Sequence, residues 1–99
     1  MRPIHMAQLD KMRPVLILTR ELVRPHLTRV TVAPITSTIR GLSTEVPVGR
    51  DNGLDHESVV SCDNLTTVPA STLRRKIGYF LPHQELQLGE AICTAFDLY

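Results

Sequence analysis

Ninety-nine residues suit one compact domain, residues 1–99, with one core and no room for a second folding unit. Apolar residues make up 42% of the chain and charged residues 21%, which is too apolar for a disordered chain, and no apolar run approaches the ~20 residues that cross a bilayer. Met1-Arg2-Pro3-Ile4-His5 lacks the apolar stretch of a secretory signal, so a cytoplasmic protein with no membrane partner is expected.

The formal net charge of +1 conceals a polarity: residues 1–50 hold seven Arg and one Lys against three acids, a balance of +5, and residues 51–99 hold three basic against seven acidic residues, −4. A basic half suits phosphate contacts, which supply most sequence-independent nucleic-acid affinity, and is equally what a solvated surface with scattered arginines gives. Cys62 and Cys93 lack the Cys or His spacing of a zinc site and read as reduced structural thiols.

In chain order, Ile4-His5-Met6-Ala7-Gln8-Leu9 reads as a short strand, and residues 13–19 as a second one, apolar enough to be covered on both faces. Pro14 fits a strand start. Residues 29–35 alternate as a third strand, in which Pro34 suggests an edge or a bulge, and 36–42 form a polar loop ending near Gly41. Residues 44–48 give a short strand, 49–57 a turn-rich connection, 58–63 another strand, and 75–80 the last. From Pro82 the pattern turns helical, with Leu88, Ile92, Ala95 and Phe96 on one face. Several short strands and one terminal helix imply a mainly β fold: a small, bent sheet or barrel with the helix packed against it.

The chain has no phosphate-cradling glycine loop, no paired His-x-x-x-His and no Gly-x-Ser-x-Gly elbow, which disfavours nucleotide hydrolysis, zinc hydrolysis and α/β-hydrolase chemistry. Arg13, just before a buried strand, has the restrained backbone that suits a bidentate hold on phosphate, and equally suits a salt bridge. Thr36, Ser37 and Thr38 offer hydroxyls at a strand exit for phosphate oxygens, or form a turn. Asp63 and Asn64 carry the donor and acceptor patterns that base edges match, and are also common turn initiators. His5 is retained because imidazole titrates near neutrality. Arg74-Arg75-Lys76 reads as a solvated basic run, with phosphate steering as the other reading.

Arg13-Pro14-Val15-Leu16-Ile17, Val30-Thr31-Val32-Ala33-Pro34-Ile35-Thr36-Ser37, residues 41–48 and residues 58–68 resemble, in order, four blocks of the MazF/PemK toxin family, over nearly the whole chain. The resemblance implies an SH3-like small barrel that forms a homodimer, a single-stranded RNA substrate, and a MazE-like antitoxin that occupies the RNA grooves. It implies a metal-independent, cofactor-free endoribonuclease in which Arg13 and Thr36 are catalytic, Asp63 and Asn64 contact bases, and Ser37 assists as a neighbour of Thr36. The reaction so implied is attack of a ribose 2′-OH on the adjacent phosphorus, leaving 2′,3′-cyclic phosphate and 5′-OH ends. Two departures stand out: Arg2-Pro3 replaces the family's Gly-Asp, and Asp10-Lys11-Met12 nearly abolishes the long loop before the arginine. His5 stands where the family often has an aromatic, and stacking on a base or acting as a supplementary acid are both open to it. Two other readings are a non-enzymatic toxin resembling the gyrase poison CcdB and a plain SH3-like binding module.

Overall fold

In the computed structural model, which describes residues 1–98, seven strands and a helix follow in order: β1 (Pro3–Gln8), β2 (Met12–Ile17), β3 (Arg29–Thr36), β4 (Glu45–Val48), β5 (Ser58–Ser61), β6 (Thr66–Pro69), β7 (Leu73–Tyr79) and α1 (Pro82–Phe96). The strand order is β4-β5-β3-β2-β1-β7, with β6 also on β3, and every pairing is antiparallel. This is the mainly β half-barrel with a C-terminal helix that the pattern of elements predicts.

The apolar run of β2 is covered on both faces, with Val15, Leu16 and Ile17 each at most 1% exposed. Successive side chains of a strand point to opposite faces, so these three residues feed two cores. Leu16 joins Ile4, Ala33, Ile35 and Phe80 under α1, while Val15 and Ile17 join Ala7, Val30, Val32 and Val68 on the other side. Full burial of each such side chain contributes ~1.5–3 kcal/mol, which is why β2 and β3 form the floor on which everything else is hung.

Two prolines mark the positions where a strand lacks a partner on one side. Pro14 pairs with Met6 of β1 before β3 has joined, since the β2–β3 ladder begins at Val15↔Pro34. Pro34 lies in the gap where β3 exchanges one neighbour for another: β6 follows it from Arg29 to Val32, and β5 takes over at Ile35. A residue without an N–H is tolerated there, so Pro34 sits in an interior strand and not at the sheet edge.

The expected bounds of β1, β2, β3 and β4 shift by one or two residues, β2 ending at Ile17 and not at Thr19, and four further corrections are needed. Thr66-Thr67-Val68-Pro69, assigned to no strand from sequence, forms β6, because β3 offers its first four residues a ladder. The last strand begins at Leu73 and not at Arg75, since Ala7 pairs with Leu73. The strand expected over 58–63 stops at Ser61, where Cys62–Asn64 close a 3-10 turn. On α1, Leu88 and Ala91 are buried and Ile92 and Ala95 partly so, whereas Phe96 is exposed, one residue before the left-handed Asp97 that ends the helix.

The start of α1 is fixed by a reciprocal amide pair. Asn52 Nδ2 donates to Gln84 Oε1 at 2.7 Å and Gln84 Nε2 donates to Asn52 Oδ1 at 3.2 Å, both side chains being buried. Asn52 also donates to the Tyr79 carbonyl and accepts from Gly49 N–H, while Gln84 donates to the Pro47 carbonyl and accepts from Leu81 N–H. The turn at Asn52-Gly53 lies so close to β7 that a Cβ on Gly53 would meet the Ile77 carbonyl oxygen at 2.0 Å, and Gly53 also takes φ +87°, so glycine is required there. Among the described residues, no helix is long and apolar enough to cross a membrane.

Candidate active site

The β2–β3 register brings Arg13 and Thr36 together. Val15 faces Pro34 and Leu16 faces Ala33, and the same register continued by two residues sets Arg13 across from Thr36. Alternation puts both on the face that carries Val15, Ile17 and Val32, just beyond the end of that second core. A cleft of about 560 Å³ opens there, and Arg13, Thr36, Asp63 and Asn64 all line it.

Arg13 is held by its own turn. Its Nε and Nη2 donate to the two carboxylate oxygens of Asp10 at 3.0 and 3.1 Å, a fork that the three-residue spacing of the shortened β1–β2 connection permits. That hydrogen bond, with the Lys11 backbone N–H second, pulls the Asp10 carboxyl down to about 2, and the same contact raises the Arg13 guanidinium above its ordinary value. The pair spends one edge of the guanidinium, and Nη1 has no hydrogen-bond partner among the described residues.

Thr36 ends β3 with its hydroxyl accepting the Thr38 backbone N–H at 3.1 Å. A hydroxyl that accepts in this way keeps its proton free to donate into the cleft. Asp63 and Asn64 stand on the 3-10 turn that follows β5, a short stop forced where the chain leaves β5 to reach β6. Asp63 Oδ2 accepts from Thr44 Oγ1 at 2.6 Å and Asn64 Nδ2 donates to Ser61 Oγ at 2.8 Å, which orients both side chains and leaves each with a free oxygen. Beneath them Cys62 is buried, and burial, followed by the neighbouring Asp63 charge, pushes its thiol up to about 11, well away from thiolate chemistry.

Ser37 and His5 are not brought into this cleft. Ser37 is exposed, lies just past the end of β3 and is not among the residues that line the cleft. His5 Nδ1 lies 2.8 Å from the Arg74 carbonyl and lines a smaller cavity of about 250 Å³ with Arg24, Lys76 and Tyr79. The exposed thiol of Cys93 is likewise remote in character from the buried Cys62.

Three positions at the cleft escaped the sequence reading. Asp10, visible only as a residue of a short turn, is the partner of Arg13, while Arg40 and Glu45 line the cleft from the 37–45 segment. The signal for the last two was Gly41, whose φ of +74° folds the loop so that Glu45 accepts the backbone N–H groups of Arg40 and Leu42. A second cavity of about 550 Å³, by β4 and the start of α1, holds none of the expected residues, and its amides Asn52 and Gln84 are committed to each other. Among the described residues no three His, Cys, Asp or Glu side chains gather as around a metal ion.

Residues 3–96 match the family described as PemK-like, MazF-like toxin of type II toxin-antitoxin system. The chain is 70% identical over 98 residues to Endoribonuclease MazF3 of Mycobacterium tuberculosis (strain CDC 1551 / Oshkosh), a match covering 99% of this chain and 95% of that protein. Among solved structures, Mycobacterium tuberculosis toxin MazF-mt6 superposes with a TM-score of 0.97 at 69% identity over 99% of both chains. An endoribonuclease from mycobacterial species, solved in complex with its cognate antitoxin, gives a TM-score of 0.87 over 98% of this chain and 93% of that one, and at 24% identity this likeness speaks for the fold.

Proposed function

This chain belongs to the family of PemK-like, MazF-like toxins of type II toxin–antitoxin systems and is an endoribonuclease, and on that footing we propose that its cleft cuts single-stranded RNA by transesterification without a metal ion. The observation that supports the reading is the convergence of the Arg13 guanidinium and the Thr36 hydroxyl, far apart in the chain, on one cleft.

The 2′-oxygen attacks the adjacent phosphorus, the bond from phosphorus to the 5′-oxygen breaks, and the products end in 2′,3′-cyclic phosphate and 5′-OH. The nucleophile is part of the substrate, so no metal-bound water is needed, and the protein's task is to stabilise charge on the non-bridging oxygens. Arg13 supplies its free N–H groups, with the charge held in place by Asp10, and Thr36 supplies its hydroxyl proton. Because the Asp10 contact raises the Arg13 pKa still further, the guanidinium acts as a fixed positive charge, so both proton transfers are left to water: the 2′-OH gives up its proton to solvent as its oxygen attacks, and the leaving 5′-oxygen takes one from solvent. Asp63 and Asn64 read the bases, which must be unstacked to reach them, so duplex RNA is spared.

Cleavage of a single-stranded RNA in excess EDTA by the wild type, lost in Arg13→Ala with an unchanged circular dichroism spectrum, is the expected result; full cleavage by that variant would refute the assignment. A 2′-deoxy substitution at the mapped site abolishes the cut if the 2′-oxygen is the nucleophile.

The same reading makes the chain a single-domain cytoplasmic toxin held silent by a cognate MazE-like antitoxin. The family's toxin–antitoxin character supports this, as does the mycobacterial endoribonuclease seen with its own antitoxin. A homodimer belongs to the same proposal, supported by the exposed Phe96 and Leu98 at the end of α1, apolar surface that a second copy would cover. Ser37 and His5, both outside the cleft, are kept as RNA contacts on the family resemblance alone.

A further inference from the structure

The charges that line the cleft are almost all spoken for. Arg13 is anchored by Asp10 along one edge of its guanidinium, Glu45 turns its carboxylate to the backbone N–H groups of Arg40 and Leu42, and Asp63 accepts from the Thr44 hydroxyl. Arg40 differs. Its guanidinium enters no hydrogen bond or ion pair with any described residue, although its own backbone N–H is bound by Glu45 at 3.2 Å. The cleft and its Asp10 rim carry two positive charges, Arg13 and Arg40, against the three negative charges of Asp10, Glu45 and Asp63, and among the described residues Arg40 is the cation of the two that no carboxylate pairs.

We propose that Arg40 binds the RNA phosphate next to the scissile one. This rests on the ribonuclease reading above. Three features of the position support it. Arg40 lies four residues beyond Thr36 on the loop that continues β3, so it lines the same cleft from its rim. The carboxylate nearest in the chain, Glu45, is occupied by two backbone donors and so leaves the guanidinium unpaired, as a phosphate site requires. The Arg40 side chain is exposed, which suits a hydrated, salt-sensitive contact that aids binding.

The test uses a fluorescent single-stranded RNA carrying the site mapped from 5′-OH ends, and its 2′-O-methyl counterpart for binding without turnover. For Arg40→Gln the expected outcome is a KM and a Kd about tenfold higher, kcat within about twofold of wild type, and a plot of log Kd against log salt shallower by about 0.7, one phosphate contact on a single strand. Arg40→Lys keeps a charge and restores the salt slope. Unaltered Kd and salt slope in Arg40→Gln overturn the proposal, as does a fall in kcat at unchanged KM, which would make Arg40 part of the chemistry. Failure of the wild type to cut in EDTA overturns the underlying reading instead, so the two failures are told apart. The substitution removes no hydrogen bond seen in the fold, and an unchanged melting midpoint verifies that.

Discussion

Replacing Thr36 by valine removes one hydroxyl and almost no volume. The β-branched shape that suits the end of β3 is kept, so the strand and its register with Val59 of β5 should persist. The hydroxyl's acceptor role concerns only the Thr38 N–H, an exposed group that water can serve, and the stability change should fall within about 0.5 kcal/mol. Its donor role is different: a hydrogen bond to the developing phosphorane charge is worth about 10²–10³ in rate when the donor is fixed beforehand. The strand below and the Thr38 N–H above both fix this one. Single-turnover cleavage of a fluorescent RNA at saturating enzyme isolates the chemical step, and Thr36→Val should slow it by that factor with little change in the enzyme concentration needed for saturation. Thr36→Ser keeps the donor and loosens its rotamer, so its loss should be smaller, about tenfold. A Thr36→Val variant within about threefold of wild type would refute the donor role, and with it the reason given for the convergence of β2 and β3 on the cleft.

Two further outcomes follow from the geometry. Gln84→Leu leaves the Leu81 N–H and the Pro47 carbonyl without their side-chain partner, while Asn52 keeps Tyr79 and Gly49, and at ~1–3 kcal/mol for each group left unsatisfied the net loss should be about 2–4 kcal/mol. Urea unfolding measures this, and the doubly apolar Asn52→Leu/Gln84→Leu should be less destabilised than the sum of the two singles. Carboxyl NMR should give Asp10 a midpoint of about 2, moving up toward the ordinary carboxylate range in Arg13→Ala, with the Lys11 N–H still holding it somewhat low. A carboxyl depressed in the folded state adds stability above its unfolded pKa and loses it as pH falls through the folded one, so the Arg13 anchor is complete at neutral pH and is released only in strong acid.

The sequence resolved some of this fold and site well, for identifiable reasons. Arg13 and Thr36 were found because the family blocks carried them, and the strands either side were strong: a doubly buried β2 and an alternating β3 announce themselves by their apolar run and period. The partition of that run into two cores was not visible, since alternation cannot say what covers each face. β6 was missed because Thr-Thr-Val-Pro is short and ends in proline, and only the free edge of β3 makes it a strand. Asp10, Arg40 and Glu45 were missed for another reason: a turn acid, a loop arginine and a strand-start glutamate acquire meaning only when the loop geometry reveals which of them are already satisfied.

The exchange of neighbours along β3 also determines what kind of opening this is. Where β6 leaves and β5 arrives, Cys62–Asn64 carry the chain in a short bend from one strand to the other, and the bend interrupts the ladder beside Pro34. Side chains and not backbone pairing therefore surround the opening at that bend, Pro34, Asp63, Asn64 and Thr66 among them. Substitution there can alter what the opening accepts without unpicking a ladder.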